Sequence, residues 1–598
     1  MLMLTRKSVF RLAAIAAAVL AAQSFAALPE VRITTRQEPL SKNGGSCPNG
    51  WTAATNTHIF DYVQMTKIEI RDPGNVGNNL TRENKPDSIR LRGNSTADAA
   101  KKPYRIKFGE KKSLFGKAEA KSWVLLANFY DGTFALNAMA FEMGKKMGLE
   151  YTNTSQLVDL WINNQYKGIY QLTEQIQAND NRVNLKEKHN GWLAEFDYHA
   201  PASDECKQAF IADPKSQCTP SQQNNWCQGQ NQNSGSNYNI TAFIKSPALD
   251  DTSFTNNKPL KNSMADTALL QFVKNDINNL VNKMKAGDFP NNGYRNLIDL
   301  ESFAKYVLIQ MVLDNFDFNS KTQAGGLPGS NFLYRRDSSA ASKIKAGPLW
   351  DFDLAAGVRN DGGGMGGWYP GMGGGGNTKA FPEHYQTYQD SIWPNNGNSS
   401  HIFYYRLWQD PVFKARYKKL WLKHKSDFQA LSSLIDNIKS QAEGSVTGNG
   451  TNTWANNSMM GSGTLTTQQF NTEVSGLKKW LSDRIGYVDG KINGSGIDVN
   501  WDIPDPVVTP TPPNPPTSVA SVNGAKSLSG LSVVKNGLRI NASSSASVKV
   551  VSLTGGVVRR QDFAAGSHTV SLGNLPRGMY LVNVKLDGVK QTVKMSVR

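Results

Sequence analysis

A proline-rich run, IPDPVVTPTPPNPPTS at residues 503–518, divides this chain more firmly than any other feature. Proline has no N–H to give a helix or a central strand, and its φ is fixed near −65°. The run therefore reads as a stiff extended spacer, and the text on either side must fold around cores of its own. Taking the linker as 496–518 leaves a large unit at 27–495 and a small one at 519–598. The large unit exceeds the roughly 250 to 300 residues beyond which one core tends to split.

The first 26 residues read as a secretory leader. A basic start with Arg6, Lys7 and Arg11 precedes an apolar run from Leu12 to Ala22 and a small-x-small cleavage site, Ser24-Phe25-Ala26. The apolar run is shorter than the ~18 residues of a spanning helix, and no later stretch qualifies, so the mature chain is expected to be exported and without a transmembrane segment. Losing Arg6, Lys7 and Arg11 lowers the formal charge from +17 to +14. The remaining basic residues are dispersed rather than gathered in one arm with aromatic stacking positions, which argues against nucleic acid as a partner. Cys47, Cys206, Cys218 and Cys227 lie in the exported part, where disulfides are permitted; four cysteines allow three pairings and the sequence selects none.

From Leu28 to about Phe108 short alternating runs (VRITT, KIEIR, SIRLRG, KKPYRIKF) predict strands between polar turns. The turn at Arg92-Gly93-Asn94-Ser95-Thr96, beside strand-borne Arg and Lys, suits either a phosphate cradle or an ordinary hairpin with solvated cations. SWVLLAN at 122–128 is a buried-type strand, and Phe134 to Met147 has helical spacing, with Glu142 placed to reach a cation on a strand. A hairpin about Asn163-Asn164 follows. This order predicts an antiparallel sheet with one helix packed on it.

Inserted loops are expected at about 199–262, which holds three of the cysteines, and at about 361–400, which holds the glycine run 362–376. Helices are expected at Asp266 to Met284, Asp299 to Asp314 with Asp299 as N-cap, Phe403 to Trp408, Pro411 to Phe428 and Phe470 to Val488. After the linker, strands such as SVKVVSL, VVRR, HTVSL and MYLVNVKL alternate with Gly and Pro turns as in a small all-β sandwich.

The chemistry concentrates between Leu313 and Gly357. Asp317 ends an amphipathic run, Asn331 opens an aromatic strand, and Asp351 closes a second strand with Asp353 two residues on. Carboxylate, amide and carboxylate in that order suit phosphoryl transfer: one carboxylate orients a hydroxyl, while an amide and a carboxylate oxygen hold an oxygen-seeking Mg²⁺. The same residue types are also common in loops and caps, so the span alone leaves both readings open.

RLRGNST, KKPYRIKF, VLLANFYD, LWINNQYKGIYQLTEQI, GWLAEF, NFDFN, NFLYRR and PLWDFDLAAG, in that order, resemble the CotH family of secreted atypical kinases over about Leu28 to Asn493. The resemblance implies an α+β, two-lobed protein-kinase-like domain that phosphorylates Ser or Thr of a protein with ATP and Mg (or Mn). It implies Asp317 as the catalytic carboxylate and Asp351 with Asn331, assisted by Asp353, as metal ligands. Arg92, Lys102 and Arg105 would contact phosphates, Glu142 would pair with that lysine, and Glu174 would sit where the lobes join. The family often opens its helix with Arg-Asn, where this chain has Leu136-Asn137. LPRGMYLVNVKLDGVKQTVKMSV at the end resembles C-terminal sorting domains of the type IX secretion route, which implies the secretion machinery as a partner and release or attachment at the outer surface.

Export places the chain where ATP is scarce, which leaves action during export, another donor or a pseudoenzyme open. A catalytically inactive surface-binding or scaffold protein of the same fold is the second reading, suggested by 13 Trp and the Asn/Gly-rich loops. A glycosidase with paired carboxylates about 5 to 9.5 Å apart is the third.

Overall fold

The computed structural model describes residues 27–37, 42–43, 59–60, 62–93, 95–97, 101–185, 191–197, 209–213, 240–246, 268–315, 318, 329–356, 392–394, 402–448 and 467–501, and in the C-terminal part 531–534, 537–552, 557–571, 578–586 and 589–597. The leader, the four cysteines, the proline run, the glycine run and Asp317 lie outside them. The chain divides into two compact units, Met1–Asp505 and Pro506–Arg598.

The larger unit begins with β1 (Glu30–Thr35), β2 (Lys42–Asn43), β3 (Ile59–Phe60), β4 (Val63–Arg71), β5 (Leu80–Glu83), β6 (Ser88–Leu91), β7 (Tyr104–Lys112) and β8 (Ala120–Leu126). Helix α1 (Leu136–Lys146) then leads to the hairpin β9 (Gln156–Ile162) and β10 (Gln165–Glu174). Asn163 and Asn164 both take left-handed φ, 50° and 62°, as a two-residue hairpin turn requires. The expected antiparallel sheet is in fact closed. Its strands run β1-β9-β10-β8-β7-β6-β4, and β4 returns to pair with β1 while β5 lies along β4. The β1–β9 contact is parallel and joins Glu30 to Asp159, a pairing too remote in sequence for local alternation to reveal. Closure leaves the barrel strands few free edges.

Inward-facing residues of each strand fill the barrel, among them Val31, Ile33, Ile68, Ile89, Ile106, Trp123 and Leu160. On the outer face Arg90 stands opposite Arg105, and Arg105 opposite Val124.

A second, antiparallel sheet follows: β11 (Trp192–Asp197), β12 (Ala209–Asp213), β13 (Ile240–Ser246), β14 (Asn331–Arg335) and β15 (Lys345–Ala346), in the order β12-β13-β11-β14-β15. Two of these strands fall inside the segment expected to be only a surface loop. ITAFIKS buries Ala242, Phe243 and Ile244 and pairs with β11, so tertiary pairing recruits it into the sheet despite its polar flanks. Against this sheet lie α2 (Ala268–Lys285), α3 (Leu300–Val312), α4 (Ile402–Trp408), α5 (Pro411–Gly448) and α6 (Thr467–Asn493), which share one large core with α1. Helix α5 runs well beyond the expected end at Phe428, because Leu431, Ile435, Ile438, Ala442 and Val446 continue its buried stripe. Asp299 caps α3, its Oδ1 accepting from Ser302 N at 3.0 Å.

The smaller unit is all β: β16 (Leu531–Val534), β17 (Gly537–Ser552), β18 (Val557–Ser571), β19 (Gly578–Leu586) and β20 (Val589–Val597). Among the described residues they form one hydrogen-bonded sheet rather than the two packed sheets of the expected sandwich, and VVRR and HTVSL belong to the single long strand β18 rather than to two short ones. Its apolar side gathers Ile540, Val548, Val550, Val570, Val582 and Val584. Among the described residues no helix is long and apolar enough to cross a membrane.

Candidate functional site

The end of α3 fixes one wall of the site. The buried Arg484 of α6 binds its last carbonyls: Nη2 donates to Met311 O at 2.5 Å, which also accepts from Asp314 N at 3.3 Å, and Nε donates to Val312 O at 3.2 Å. The chain then turns through Asp314, at φ 48°, into Asn315. Asn315 Nδ2 donates to Asp351 O at 3.0 Å and to Gln310 Oε1 at 2.9 Å, and Ala356 N donates to Leu313 O at 2.8 Å. Two stretches about forty positions apart are thus laced together at Asp351.

Asp351 itself has φ 65°, a left-handed conformation that a non-glycine residue holds only when its surroundings impose it. Ser330, also left-handed at φ 50°, donates from Oγ to Asp351 Oδ2 at 2.7 Å. The next peptide is held from α1, where Asn137 Oδ1 accepts from Phe352 N at 3.0 Å. Helix α1 is in turn anchored by the buried Asp131, which accepts from Leu136 N at 2.9 Å and from Thr133. Burial pushes the Asp131 carboxyl up.

Asn331 is fully buried on β14, its Oδ1 accepting from Tyr404 Oη at 2.9 Å, while among the described residues Nδ2 meets no partner. The reversed amide keeps a bond to Tyr404, now as donor, and turns its oxygen to the unpartnered side. An amide oxygen at Asn331 and the half-buried carboxylate of Asp351, which is bound by Ser330, the residue before Asn331, are donors of the kind a hard divalent cation takes. Asp353, half-buried, follows two residues after Asp351. Among the described residues no group of three or more His, Cys, Asp or Glu gathers as a metal cluster. Asp317 lies outside the described residues.

The barrel supplies the cations. The Arg92 guanidinium lies 5.2 Å from the centroid of the Trp350 ring. Burial pushes its pKa down, Asp351 and then Glu195 draw it back up, and Arg105 and Arg90 press it down again. Arg92 therefore lies within electrostatic reach of both Asp351 and Arg105. Phe141 of α1 stacks on Trp350 from the other element, centroids 6.4 Å apart at 23°.

Of the other expected residues Lys102 and Glu174 have local partners, and among the described residues the expected pairing of Glu142 with Lys102 is not formed. Lys102 Nζ donates to Ala97 O at 2.9 Å, while Glu142 is half-buried on α1 with no ion pair among the described residues. Glu174 receives Thr154 N at 2.8 Å and Thr154 Oγ1 at 2.7 Å, bracing the end of β10 against the approach to β9.

Sequence reasoning passed over Lys101 in favour of its neighbour. Lys101 is 3% exposed, donates from Nζ to Ile169 O at 2.6 Å and lies over the rings of Tyr170 and Phe134 at 4.9 and 5.3 Å. Burial lowers its pKa from 10.5 to about 7, against the pull of Asp159 and Asp131. Both lysines precede β7, and only the packing of Tyr170 and Phe134 around Lys101 shows which one is enclosed. Ser330, Asn315 and Asn137 were also missed as supports of Asp351; the neighbouring motif letters were their only signal.

This arrangement, a β-barrel with an arginine within electrostatic reach of an Asp-bearing loop of an α-rich half, defines a class. Residues 89–488 match the family described as CotH kinase protein, and the chain belongs to that family. Residues 534–598 match the Secretion system C-terminal sorting domain, which marks a protein that is secreted or attached at the outer surface. No curated protein matches the chain.

Proposed function

We propose that this chain is a secreted, metal-dependent protein kinase that transfers the ATP γ-phosphate to Ser or Thr of an extracytoplasmic protein. The observation that carries the reading is the electrostatic neighbourhood that Arg92 shares with Asp351, a left-handed loop carboxylate held by Ser330 and Asn315. The boundaries proposed above, with a linker at 496–518, place this site wholly in the larger domain.

When bound, Mg-ATP supplies the phosphoryl group and the charge neutralisation its transfer needs. Asp351 and Asn331 would hold the metal, with Asp353 alongside. Arg92 and Arg105 would bind phosphate oxygens, and Lys102 would reach the same group from the start of β7. Asp317 would orient the acceptor hydroxyl. Ser330 and Asn315 position Asp351, and Asn137 fixes the peptide that follows it. Because these groups are preset, little reorganisation is needed when charge develops on the transferring group.

The test is transfer of γ-labelled phosphate from ATP to a Ser/Thr-rich acceptor, with and without Mg²⁺ or Mn²⁺, in wild type and Asp351→Asn. Transfer should require the metal and fall on the order of a hundredfold or more in the variant. Undiminished transfer by Asp351→Asn would remove the assignment. Metal-independent absence of transfer in the wild type would leave the scaffold reading.

A further inference from the structure

A second concave site lies where α4, α5 and α6 meet, built from none of the residues above. A cavity of about 370 Å³ is lined by Trp393, Trp408, Lys414, Lys491, Gly494 and Ile497. The two indoles stack face to face, centroids 5.4 Å apart at 11°. Trp408 is held from behind by edge contacts to Tyr417 and Phe413, at 5.2 and 6.4 Å.

Cations edge this aromatic floor. Lys414 Nζ stands 5.8 Å from the Trp408 ring centre and Lys491 Nζ 5.3 Å from that of Tyr487. Among the described residues neither lysine has a carboxylate partner, and none of the lining residues is acidic. Lys418 donates to Ile497 O at 3.1 Å, which ties the Ile497 wall to α5. Gly490 also lines the space, and a Cβ there would meet nothing within 4 Å, so the floor between the lysines is open.

We infer that this cavity binds an acidic saccharide, a sugar unit bearing a carboxylate within a polysaccharide. Indoles 5.4 Å apart leave no slot for a planar ring to enter between them, since a sandwiched ring needs about 7 Å. A ligand must rest on the outer part of the platform, where the C–H face of a sugar packs on an indole and its carboxylate meets the ammonium groups. The sorting domain carries the chain to the outside, where such polymers are encountered.

The experiment titrates the full-length mature protein with galacturonate hexamer, cellohexaose and AMP, following tryptophan fluorescence and heat. The acidic hexamer should bind saturably, and about tenfold more weakly both in the Lys414→Gln/Lys491→Gln variant and in about 0.5 M salt. Cellohexaose and AMP should bind more weakly than the acidic hexamer. Both lysines reach the surface, so the variant should keep the wild-type melting temperature, and binding measures the site rather than the fold. No saturable binding of the acidic hexamer, equal binding of cellohexaose, tighter binding of AMP, or undiminished affinity in the double variant would each overturn the inference.

Discussion

Lys101 shows how far a single residue can depart from what its letter suggests. In the unfolded chain its amine keeps a pKa near 10.5, and in the folded chain burial holds it at about 7. Between those values the unfolded chain binds a proton that the folded chain does not, so this lysine makes stability rise with pH across that window, by up to about 1.4 kcal/mol per unit. Below about 7 both states are protonated and the dependence vanishes. Urea unfolding of wild type and Lys101→Met between pH 6 and 10 should show a flatter profile in the variant, and parallel profiles would contradict the burial argument. Asp351 was expected to close a second strand, but β15 stops at Ala346 and leaves Asp351 in irregular chain beyond it. Its left-handed φ and its bonds from Ser330 and Asn315 were not legible, because they depend on a turn some twenty residues before it and on a helix end farther still.

Helix ends are where the elements become specific to one another. Arg484 reads in the sequence as a polar position on an amphipathic helix, yet it is fully buried and closes the carbonyls at the end of α3. Arg484→Leu should cost about 3 kcal/mol, because the carbonyls lose charged donors in a dry interior. Denaturant midpoints measure that loss, and an unchanged midpoint would mean that water replaces the guanidinium. Elements with a local cause were legible: the Asn163-Asn164 hairpin from its turn chemistry, α3 from the Asp299 cap and its apolar face. The strand at 240–246 was not, because its signal is short, its flanks are polar and its partner β11 is more than forty residues away. The run of α5 past Phe428 was missed for a different reason, a weaker stripe interrupted by serines and charges.

At the scale of the molecule the chain divides into two units, each with its own core residues. The sorting sheet has its own apolar layer of Ile540, Val548, Val550, Val582 and Val584. Deleting residues 534–598 should stop delivery outside the cell while leaving phosphate transfer by the retained protein intact; fractionation and the label assay check the two halves separately, and normal export of the truncated chain would refute the role of the tail. What the sequence by itself determined was the division at the proline run, the strand-rich and helix-rich halves of the large unit, and the family to which its ordered motifs belong. All of these rest on local chemistry: missing N–H groups, period-two and period-3.6 patterns, capping side chains. Only the tertiary structure decided that the first sheet closes on itself, that Lys101 is enclosed, and that Arg92 comes within electrostatic reach of Asp351. Those outcomes depend on contacts between residues up to several hundred positions apart, whose energies come from shared burial and appear in no short stretch of the chain.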